Sequence, residues 1–337
     1  MGCRVGRVTD HVRIGVLGAA MITPPAVIRP ARSSTVAEVV AVAARSSARA
    51  QAFADKHGIP RVHGSYEDLL ADPAVDAVYN PLPNGLHGKW TLAALAAGKH
   101  VLCEKPFTAN ALEAATVADA ARGSGLVVME AFHYRYHPLA MRVDEIMRSG
   151  VLGPLRHVEA SVCFPLPMFS NIRYDYSLAG GAMMDAGCYA VHMARLLGGE
   201  EPEVRSARAL LRGPSIDRAM RASLRFPSGH TGSVHASLWS STVLKLSMKA
   251  IGENGTLSVF NPLGPHAFHR LSLRLKGRTS TETFGRRATY AYQLDAFTDA
   301  VLHGKPFPTT ADDAVRNMTV IDSIYRAAGL PLRQPTP

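Results

Sequence analysis

Residues 80–106, NPLPNGLHGKWTLAALAAGKHVLCEKP, decide the fold that this sequence predicts. An apolar strand ends where the stretch begins, an Ala-rich segment of helix length follows, and a second apolar strand ends at Glu104-Lys105-Pro106. This order is typical of a parallel sheet, in which ligands bind at the carboxyl ends of the strands. Lys105 is therefore either a cation that faces a ligand or a surface lysine at a strand end.

The same alternation of strand-length and helix-length segments runs from Val12 to Phe132 and predicts successive βαβ units. Thr23, followed by Pro24 and Pro25, predicts the capped start of the first helix. The predicted strands are Val12 to Leu17, Val36 to Ala44, Val75 to Tyr79, His100 to Glu104 and Leu126 to Phe132.

Beyond Pro138 the pattern changes to strands that partly alternate polar and apolar residues, as a sheet with unlike faces requires. Gly229 and Glu253-Asn254-Gly255 are typical of hairpin turns. One largely antiparallel sheet is expected, with strands at Leu155 to Phe164, Val204 to Leu211, Arg218 to Phe226, Thr231 to Trp239, Leu244 to Ile251 and Leu271 to Lys276. Helices are expected from Leu139 to Arg148, Ala291 to Leu302 and Ala311 to Ala328.

Length and composition favour a two-domain protein of the cytoplasm. At 337 residues the chain exceeds a comfortable single core, and no apolar run approaches the length that spans a membrane. The four cysteines are scattered without metal-site or disulfide spacing, and no metal site is expected. The formal charge of +10 is dispersed, which argues against a nucleic-acid partner and favours small anions such as nucleotide phosphates.

A dinucleotide site is indicated by the turn after the first predicted strand. Gly18 stands at the first glycine position of the phosphate-binding fingerprint, while Ala20 and Thr23 replace the second and third. After the second strand, Arg45 and Ser46 stand where an acid would bind the ribose of NAD. They favour the 2′-phosphate of NADP, with NAD less probable, although Arg45 stacked on adenine suits either nucleotide.

A second polar cluster lies at Asp185, Tyr189 and His192, spaced i, i+4 and i+7. On a helix these three side chains share one face, where they are either hydrogen-bonded in a core or directed at a ligand.

Together these segments resemble the glucose-fructose oxidoreductase, inositol dehydrogenase and MocA (Gfo/Idh/MocA) superfamily over nearly the whole chain. The matching motifs are the turn from Leu17 to Ile22, Pro83-Asn84-Gly85-Leu86-His87, Gly98-Lys99-His100-Val101 with Glu104-Lys105-Pro106, and Gly180-Gly181 with Asp185 to Tyr189. The resemblance implies an NADP-binding Rossmann domain at 11–137 and a substrate and oligomerisation domain with closing C-terminal helices at 138–337, and a flexible tail is expected at 1–10. The second domain has too few helices to cover both faces of its sheet, which would otherwise expose a large apolar patch, so a homodimer or homotetramer is expected.

The resemblance also implies the site residues. Inositol dehydrogenases carry histidine where Tyr189 stands, whereas dimeric dihydrodiol dehydrogenases, NADP-dependent xylose dehydrogenases and sugar 3-ketoreductases carry tyrosine. Tyr189 is therefore the expected acid/base, with Lys105 and Asp185 completing the catalytic set. The implied cofactor contacts are Gly18, Ala20, Met21, Ile22, Arg45, Ser46, Arg49, Leu82, Pro83, Asn84, His87, Glu104, Lys105 and Arg135, and the implied substrate contacts are Arg173, Tyr174, Asp185 and His192.

The expected function is NADP-dependent hydride transfer to or from a secondary alcohol, ketone or anomeric carbon of a sugar or polyol. We expect the Lys105 ammonium to lower the pKa of the Tyr189 phenol, which is ordinarily near ~10. Trp239 and Tyr292 are expected either to form a wall against the sugar or to pack in the core. Two alternatives remain: a glycosidase that uses NAD for transient oxidation, and a non-catalytic NADP-binding regulator.

Overall fold

The computed structural model describes residues 10–337, so Cys3 and all but the last residue of the expected tail lie outside the described part. Two sheets carry the fold. One is a six-stranded parallel sheet, and the other is an eight-stranded, mainly antiparallel sheet. This architecture confirms the predicted α/β class.

The first sheet has the strand order β3-β2-β1-β4-β5-β6, with every neighbouring pair parallel. Its central strands are buried on both faces, because helices cover both sides of a parallel sheet. Arg61–His63 has no predicted counterpart, since this short edge strand lacks an apolar run. The strands are β1 Val12–Leu17, β2 Ala37–Ala43, β3 Arg61–His63, β4 Ala77–Asn80, β5 His100–Cys103 and β6 Val128–Glu130.

Nine α-helices lie within residues 10–337, and short helical turns precede or join several of them. They are α1 Arg29–Arg32, α2 Ser47–His57, α3 Tyr66–Ala71, α4 His87–Ala96, α5 Ala111–Ser124, α6 Pro138–Arg148, α7 Cys188–Gly198, α8 Thr289–His303 and α9 Ala311–Ala327. A π-helical turn at Pro24–Ile28 leads into α1, and another at Met183–Gly187 leads into α7.

The prediction that Thr23 caps the first helix is wrong. Thr23 already has helical dihedral angles and its side chain makes no capping hydrogen bond, because the chain enters the π-helical turn directly from the preceding turn. Its hydroxyl is buried without a hydrogen-bond partner within the described residues. The two prolines do occupy the start of the helix, where their missing N–H groups cost nothing.

The second sheet has the strand order β14-β13-β12-β11-β7-β10-β9-β8. All neighbouring pairs are antiparallel except β7 and β10. Six strands match the prediction, whereas β12 and the polar edge strand β14 were not predicted. The strands are β7 Leu155–Cys163, β8 Glu203–Leu211, β9 Asp217–Arg225, β10 Thr231–Ser237, β11 Lys245–Gly252, β12 Gly255–Phe260, β13 Arg270–Leu275 and β14 Arg278–Glu282.

The closing helices return to the first sheet. Leu294 and Phe297 of α8 pack in one hydrophobic core with Ile14 of β1. Helix α9 contributes Met318 and Ile321 to a second core that extends from the first sheet into the second. Helix α7 crosses the inner face of the second sheet within that same core.

The outer face of the second sheet is polar. Its strands turn Glu159, Arg221, Ser233 and His235 away from the core, which lies on the opposite face. We expected a large apolar patch there, and this expectation is wrong because the alternation places Ser, Lys, Arg and Glu outward. No helix within residues 10–337 has both the length and the apolar character needed to cross a membrane.

Candidate active site

A cavity of about 310 Å³ lies where the carboxyl ends of β1, β4 and β5 meet the start of α7. It brings together most of the residues that the sequence predicted for a site. The predicted residues that line it are Ala20, Met21, Ile22, Leu82, Pro83, Asn84, His87, Glu104, Lys105, Arg173, Asp185 and Tyr189.

A buried ion pair joins the two sequence motifs at the bottom of the cavity. Lys105 Nζ donates to the side-chain Oδ1 of Asp185 at 3.0 Å and to its backbone carbonyl at 2.9 Å. Burial lowers the pKa of Lys105, but the charge of Asp185 and smaller contributions outweigh it, so the pKa is raised. Lys105 is therefore an ammonium ion at neutral pH.

Asp185 also meets a second cation at the cavity wall. Arg173 Nε lies 2.8 Å from Asp185 Oδ2, so the carboxylate stands between Lys105 and Arg173. Burial raises the pKa of Asp185, whereas both cations lower it, and the net shift is downward. The cluster carries one negative and two positive charges, an arrangement that suits hydroxyl or anionic oxygens of a ligand.

Tyr189 packs beside this cluster. Its ring centroid lies 5.0 Å from Lys105 Nζ and 5.2 Å from the ring of Phe132. Burial raises the pKa of Tyr189 well above the usual value, and neighbouring groups, first Tyr290 and then Glu104, raise it further. The expected lowering by Lys105 is wrong for this state, since the ammonium is hydrogen-bonded to Asp185 instead of to the phenol.

Glu104 forms the wall of the cavity next to Lys105. Tyr79, at the end of the adjacent strand, donates its phenol hydrogen to Glu104 Oε1 at 2.7 Å. Burial raises the pKa of Glu104 even though Lys105 opposes the shift. The buried carboxyl thus presents a polar surface to the cavity and is fixed by a partner that the sequence motifs did not include.

The loop from Leu82 to His87 lines one side of the cavity and is held by His87. The two ring nitrogens of His87 each lie 2.7 Å from a carbonyl oxygen, those of Pro106 and Leu82. Burial lowers the pKa of His87 to about 4, so the ring is neutral and one of the two contacts is an N–H hydrogen bond. His87 therefore ties this loop to the strand that delivers Lys105.

The turn after β1 and the residues that follow β2 suit the binding of a dinucleotide. Gly18 has φ of +101° directly after β1, and a Cβ there would lie 3.1 Å from Leu82. A larger residue would strain this close turn. At the end of β2, Arg45, Ser46 and Arg49 are exposed, and the Ser46 hydroxyl caps α2. Two guanidinium groups beside a helix N-terminus form a suitable environment for a phosphate.

Apart from Gly18, Arg45, Ser46 and Arg49, four predicted site residues do not line the cavity. Arg135 pairs with Asp144, and Trp239 is 40% exposed and stacks edge-on with Phe169. Tyr174 donates its phenol hydrogen to the carbonyl oxygen of Leu166. Other residues hold these three side chains, and none of the three lines the cavity.

His192 is the fourth, and it lies one turn beyond Tyr189 on the same side of α7, where both rings pack against Phe132 and Tyr134. Its ring bonds to the Tyr134 hydroxyl at 2.6 Å and lies 3.2 Å from Asp313. The shared face of Tyr189 and His192 is therefore present, but Tyr134 and Asp313 enclose His192, and it does not line the cavity.

The aromatic wall of the cavity is Tyr290, which sequence reasoning missed. Tyr290 stacks on His133 at 4.2 Å and lines the cavity, whereas the expected Tyr292 packs against His137 and Arg287. No local motif marks Tyr290, because it reaches the site from α8 through tertiary packing. Val162, Phe164, Ile172, Leu178 and Leu263 line the second-domain side of the cavity and were likewise not predicted.

Comparison with known proteins identifies the type of chain that carries this cavity. A family model described as an oxidoreductase family with an NAD-binding Rossmann fold matches residues 12–132, and the GFO/IDH/MocA C-terminal domain matches residues 140–258. A D-xylose 1-dehydrogenase (NADP(+)) of Haloferax volcanii is 42% identical over 316 residues, which cover 93% of this chain and 96% of that protein.

Two further relatives act on, or bind, nucleotide-linked compounds. The dTDP-3,4-didehydro-2,6-dideoxy-α-D-glucose 3-reductase of Streptomyces violaceoruber is 35% identical over 334 residues, covering 95% of this chain and 96% of that protein. A crystal structure of a 3-ketoreductase from Actinomadura kijaniata, in complex with NADP and TDP-benzene, superposes with a TM-score of 0.86 at 29% identity. That match covers 94% of this chain and 98% of the other.

Proposed function

Because this chain belongs to the Gfo/Idh/MocA oxidoreductase family, we propose that it is an NADP-dependent enzyme acting on a sugar or related polyol. The reaction is hydride transfer between nicotinamide and a carbon that carries a hydroxyl or carbonyl oxygen. The observation that carries the proposal is the placement of Tyr189 and the Lys105–Asp185 pair in one cavity with the Leu82–His87 loop.

NADP is supported by the residues at the end of β2. Arg45, Ser46 and Arg49 offer two cations and a helix N-terminus where an acid would be expected for NAD. The xylose dehydrogenase and the 3-ketoreductase are both described with NADP, which agrees with this arrangement. When bound, the reduced nicotinamide supplies the hydride that adds to a carbonyl carbon.

Tyr189 supplies the proton of the reduction. The buried phenol is neutral at physiological pH, so it donates its hydrogen to the carbonyl oxygen as the carbon gains the hydride. The product is an alcohol, and the phenolate left on Tyr189 recovers a proton from water. The Lys105 ammonium, 5.0 Å from the ring, stabilises that transient negative charge.

Asp185 positions Lys105, and Arg173 offers hydrogen-bond donors to the substrate. Asp185 holds the Lys105 ammonium in place through two hydrogen bonds. Arg173 stands 39% exposed at the cavity wall, where its remaining N–H groups are available to substrate oxygens. Sugar hydroxyl groups match this set of donors and acceptors, and apolar sugar faces match the Tyr290 ring.

A substrate panel tests the proposal. We expect NADPH oxidation or NADP reduction with at least one aldose, keto-sugar, nucleotide-linked sugar or trans-dihydrodiol. Glycoside cleavage without net cofactor turnover would instead favour the glycosidase alternative. Tight NADPH binding with no turnover across the panel would favour the non-catalytic regulator and contradict the proposed function.

A further inference from the structure

The last residues of the chain, 331–337, form an extended segment that lies against the walls of the candidate active site. Arg333 anchors it and is fully buried. Its guanidinium donates to Asp217 Oδ1 at 2.7 Å and to the carbonyl oxygen of Gly180 at 2.6 Å. The same group lies 4.2 Å from the Tyr325 ring centroid. Arg333 holds this segment in place, because moving its guanidinium away from Asp217 would leave a buried charge without a partner.

The anchor continues into the turn that carries the catalytic residues. Asp217 Oδ2 accepts the backbone N–H of Met183, the first residue of the π-helical turn, at 2.7 Å. Gly181 has φ of +135°, and a Cβ there would lie 2.3 Å from Asp217 Oδ1 and 2.8 Å from Arg333 Nη2. The glycine in the Gly180-Gly181 motif therefore makes room for the Arg333–Asp217 pair.

The other end of the segment reaches the loop on the opposite side of the cavity. Thr336 donates its backbone N–H to the carbonyl oxygen of Gly85 at 2.7 Å and its hydroxyl to the carbonyl oxygen of Ser177 at 2.6 Å. A Cβ on Gly85 would lie 2.2 Å from Thr336 Oγ1. The Pro83–His87 loop and the C-terminal segment thus pack backbone against backbone, which requires glycine at position 85.

We propose that Arg333 and Thr336 are positioning residues that fix the Pro83–His87 loop relative to the turn carrying Asp185 and Tyr189. The inference rests on the proposed function, because this spacing would set how a nicotinamide held by the loop meets the proposed proton donor. A misplacement of about 1 Å in such a geometry costs as much as 10²-fold in rate. Neither residue touches the reacting atoms.

Thr336→Pro tests the inference with Thr336→Val as its matched control. Proline has no N–H, so the bond to Gly85 is lost while Arg333 stays in place, whereas valine keeps the N–H and loses only the hydroxyl. In hydrogen–deuterium exchange, we expect Thr336→Pro to accelerate exchange at residues 83–87, and Thr336→Val to leave that loop unchanged. Unchanged exchange in Thr336→Pro overturns the proposal.

Single-turnover kinetics separate positioning from a purely structural role. At saturating NADPH and substrate, we expect Thr336→Pro to slow hydride transfer by roughly 10-fold, while Thr336→Val stays near the wild type. Gly85→Ala should reproduce the loss, and the double variant should be no slower than either single variant. Faster exchange with a normal hydride-transfer rate overturns the positioning role.

Failure of the proposed function leaves a separate result. If the wild type turns over no substrate, the effect of Thr336→Pro is measured on binding instead. Two affinities are compared with those of the wild type, one for NADPH and one for adenosine 2′,5′-bisphosphate, which is the adenosine half of NADP. We expect Thr336→Pro to weaken NADPH by roughly 2- to 10-fold, the range of one hydrogen bond, and to leave the adenosine half unaffected. Equal effects on both ligands, or on neither, overturn the inference.

Discussion

Tyr189, the proton donor that we propose, is 6% exposed, and its burial determines whether the phenol or the phenolate is present. Desolvation disfavours the phenolate, so the free enzyme carries a neutral phenol. A neutral phenol is a proton donor and therefore suits reduction of a carbonyl. Oxidation of an alcohol requires the phenolate, which burial makes scarce near neutral pH.

The two reaction directions should therefore depend differently on pH. Because the pKa of Tyr189 is raised above 10, the phenol stays protonated up to that pH, and we expect the reduction rate to be flat from about pH 6 to 9. The oxidation rate should rise about tenfold per pH unit over the same range, as the phenolate fraction grows. The measurement is kcat/KM in both directions. A reduction rate that falls between pH 6 and 8 would indicate a histidine instead.

Some residues of the site were predictable from the sequence, and others were not. Lys105, Asp185 and Tyr189 stand in local motifs, so their meeting in one cavity was predictable. Tyr79 and Tyr290 contact the site only through tertiary packing, and no spacing in the chain indicates them. The upward shift of the Tyr189 pKa was also not predictable from the sequence, because it depends on burial and on the pairing of Lys105 with Asp185.

At the scale of elements, we propose that the junction of β2 and α2 sets the preference for NADP over NAD. Helix α2 begins directly after Ser46, next to the exposed Arg45, and the exposed Arg49 lies in its first turn. The helix dipole and the two arginines favour an added phosphate.

Arg45→Asp should therefore weaken NADP binding selectively. We expect at least about a tenfold rise in the Kd for NADP, since a charge-assisted contact contributes roughly 1.5 to 3 kcal/mol, and little change for NAD. Arg278→Asp, on the edge strand β14, changes the net charge equally and serves as the control. Fluorescence titration gives both constants. Equal Kd values for the two nucleotides in the wild type would contradict the assignment.

The helix that carries Asp185, Tyr189 and His192 shows where element-level prediction ends. The sequence indicated this helix, and the structure has it, although its first turn at Met183–Gly187 is π-helical. Tyr189 and His192 lie on one side of it, but Tyr134 and Asp313 enclose His192, which does not reach the cavity. Periodicity places residues on one face of a helix, but it does not show where along that face the cavity ends.

At the scale of the whole molecule, both sheets and their order along the chain were predictable because parallel and antiparallel sheets have different hydrophobic patterns. The edge strands β3 and β14 were not, since they carry few apolar residues. The return of α8 to the first sheet was also not predicted, because helix periodicity does not reveal which sheet an apolar stripe covers.

The open polar face of the second sheet is where we predict a homodimer or a dimer of dimers to form. Glu159 stands at the centre of this face, near the cations Arg221 and Lys245, so two copies related by a twofold axis are able to pair opposite charges. Glu159→Lys should lower the mass of the assembly in light scattering at micromolar concentration. Glu67→Lys, at an exposed position of α3 away from this sheet, is the matched control. A wild-type protein that stays monomeric would refute the prediction.

Stopped-flow turnover of Tyr189→Phe shows whether Tyr189 donates the proton in an NADP-dependent reduction. With the best substrate of the panel, we expect a loss of about 10²- to 10⁴-fold with unchanged NADPH affinity, while Tyr292→Phe, outside the cavity, stays normal. Lys105→Ala and the double variant should be similarly slow, because residues that act together do not lose rate additively. Near-normal turnover of Tyr189→Phe would contradict the account.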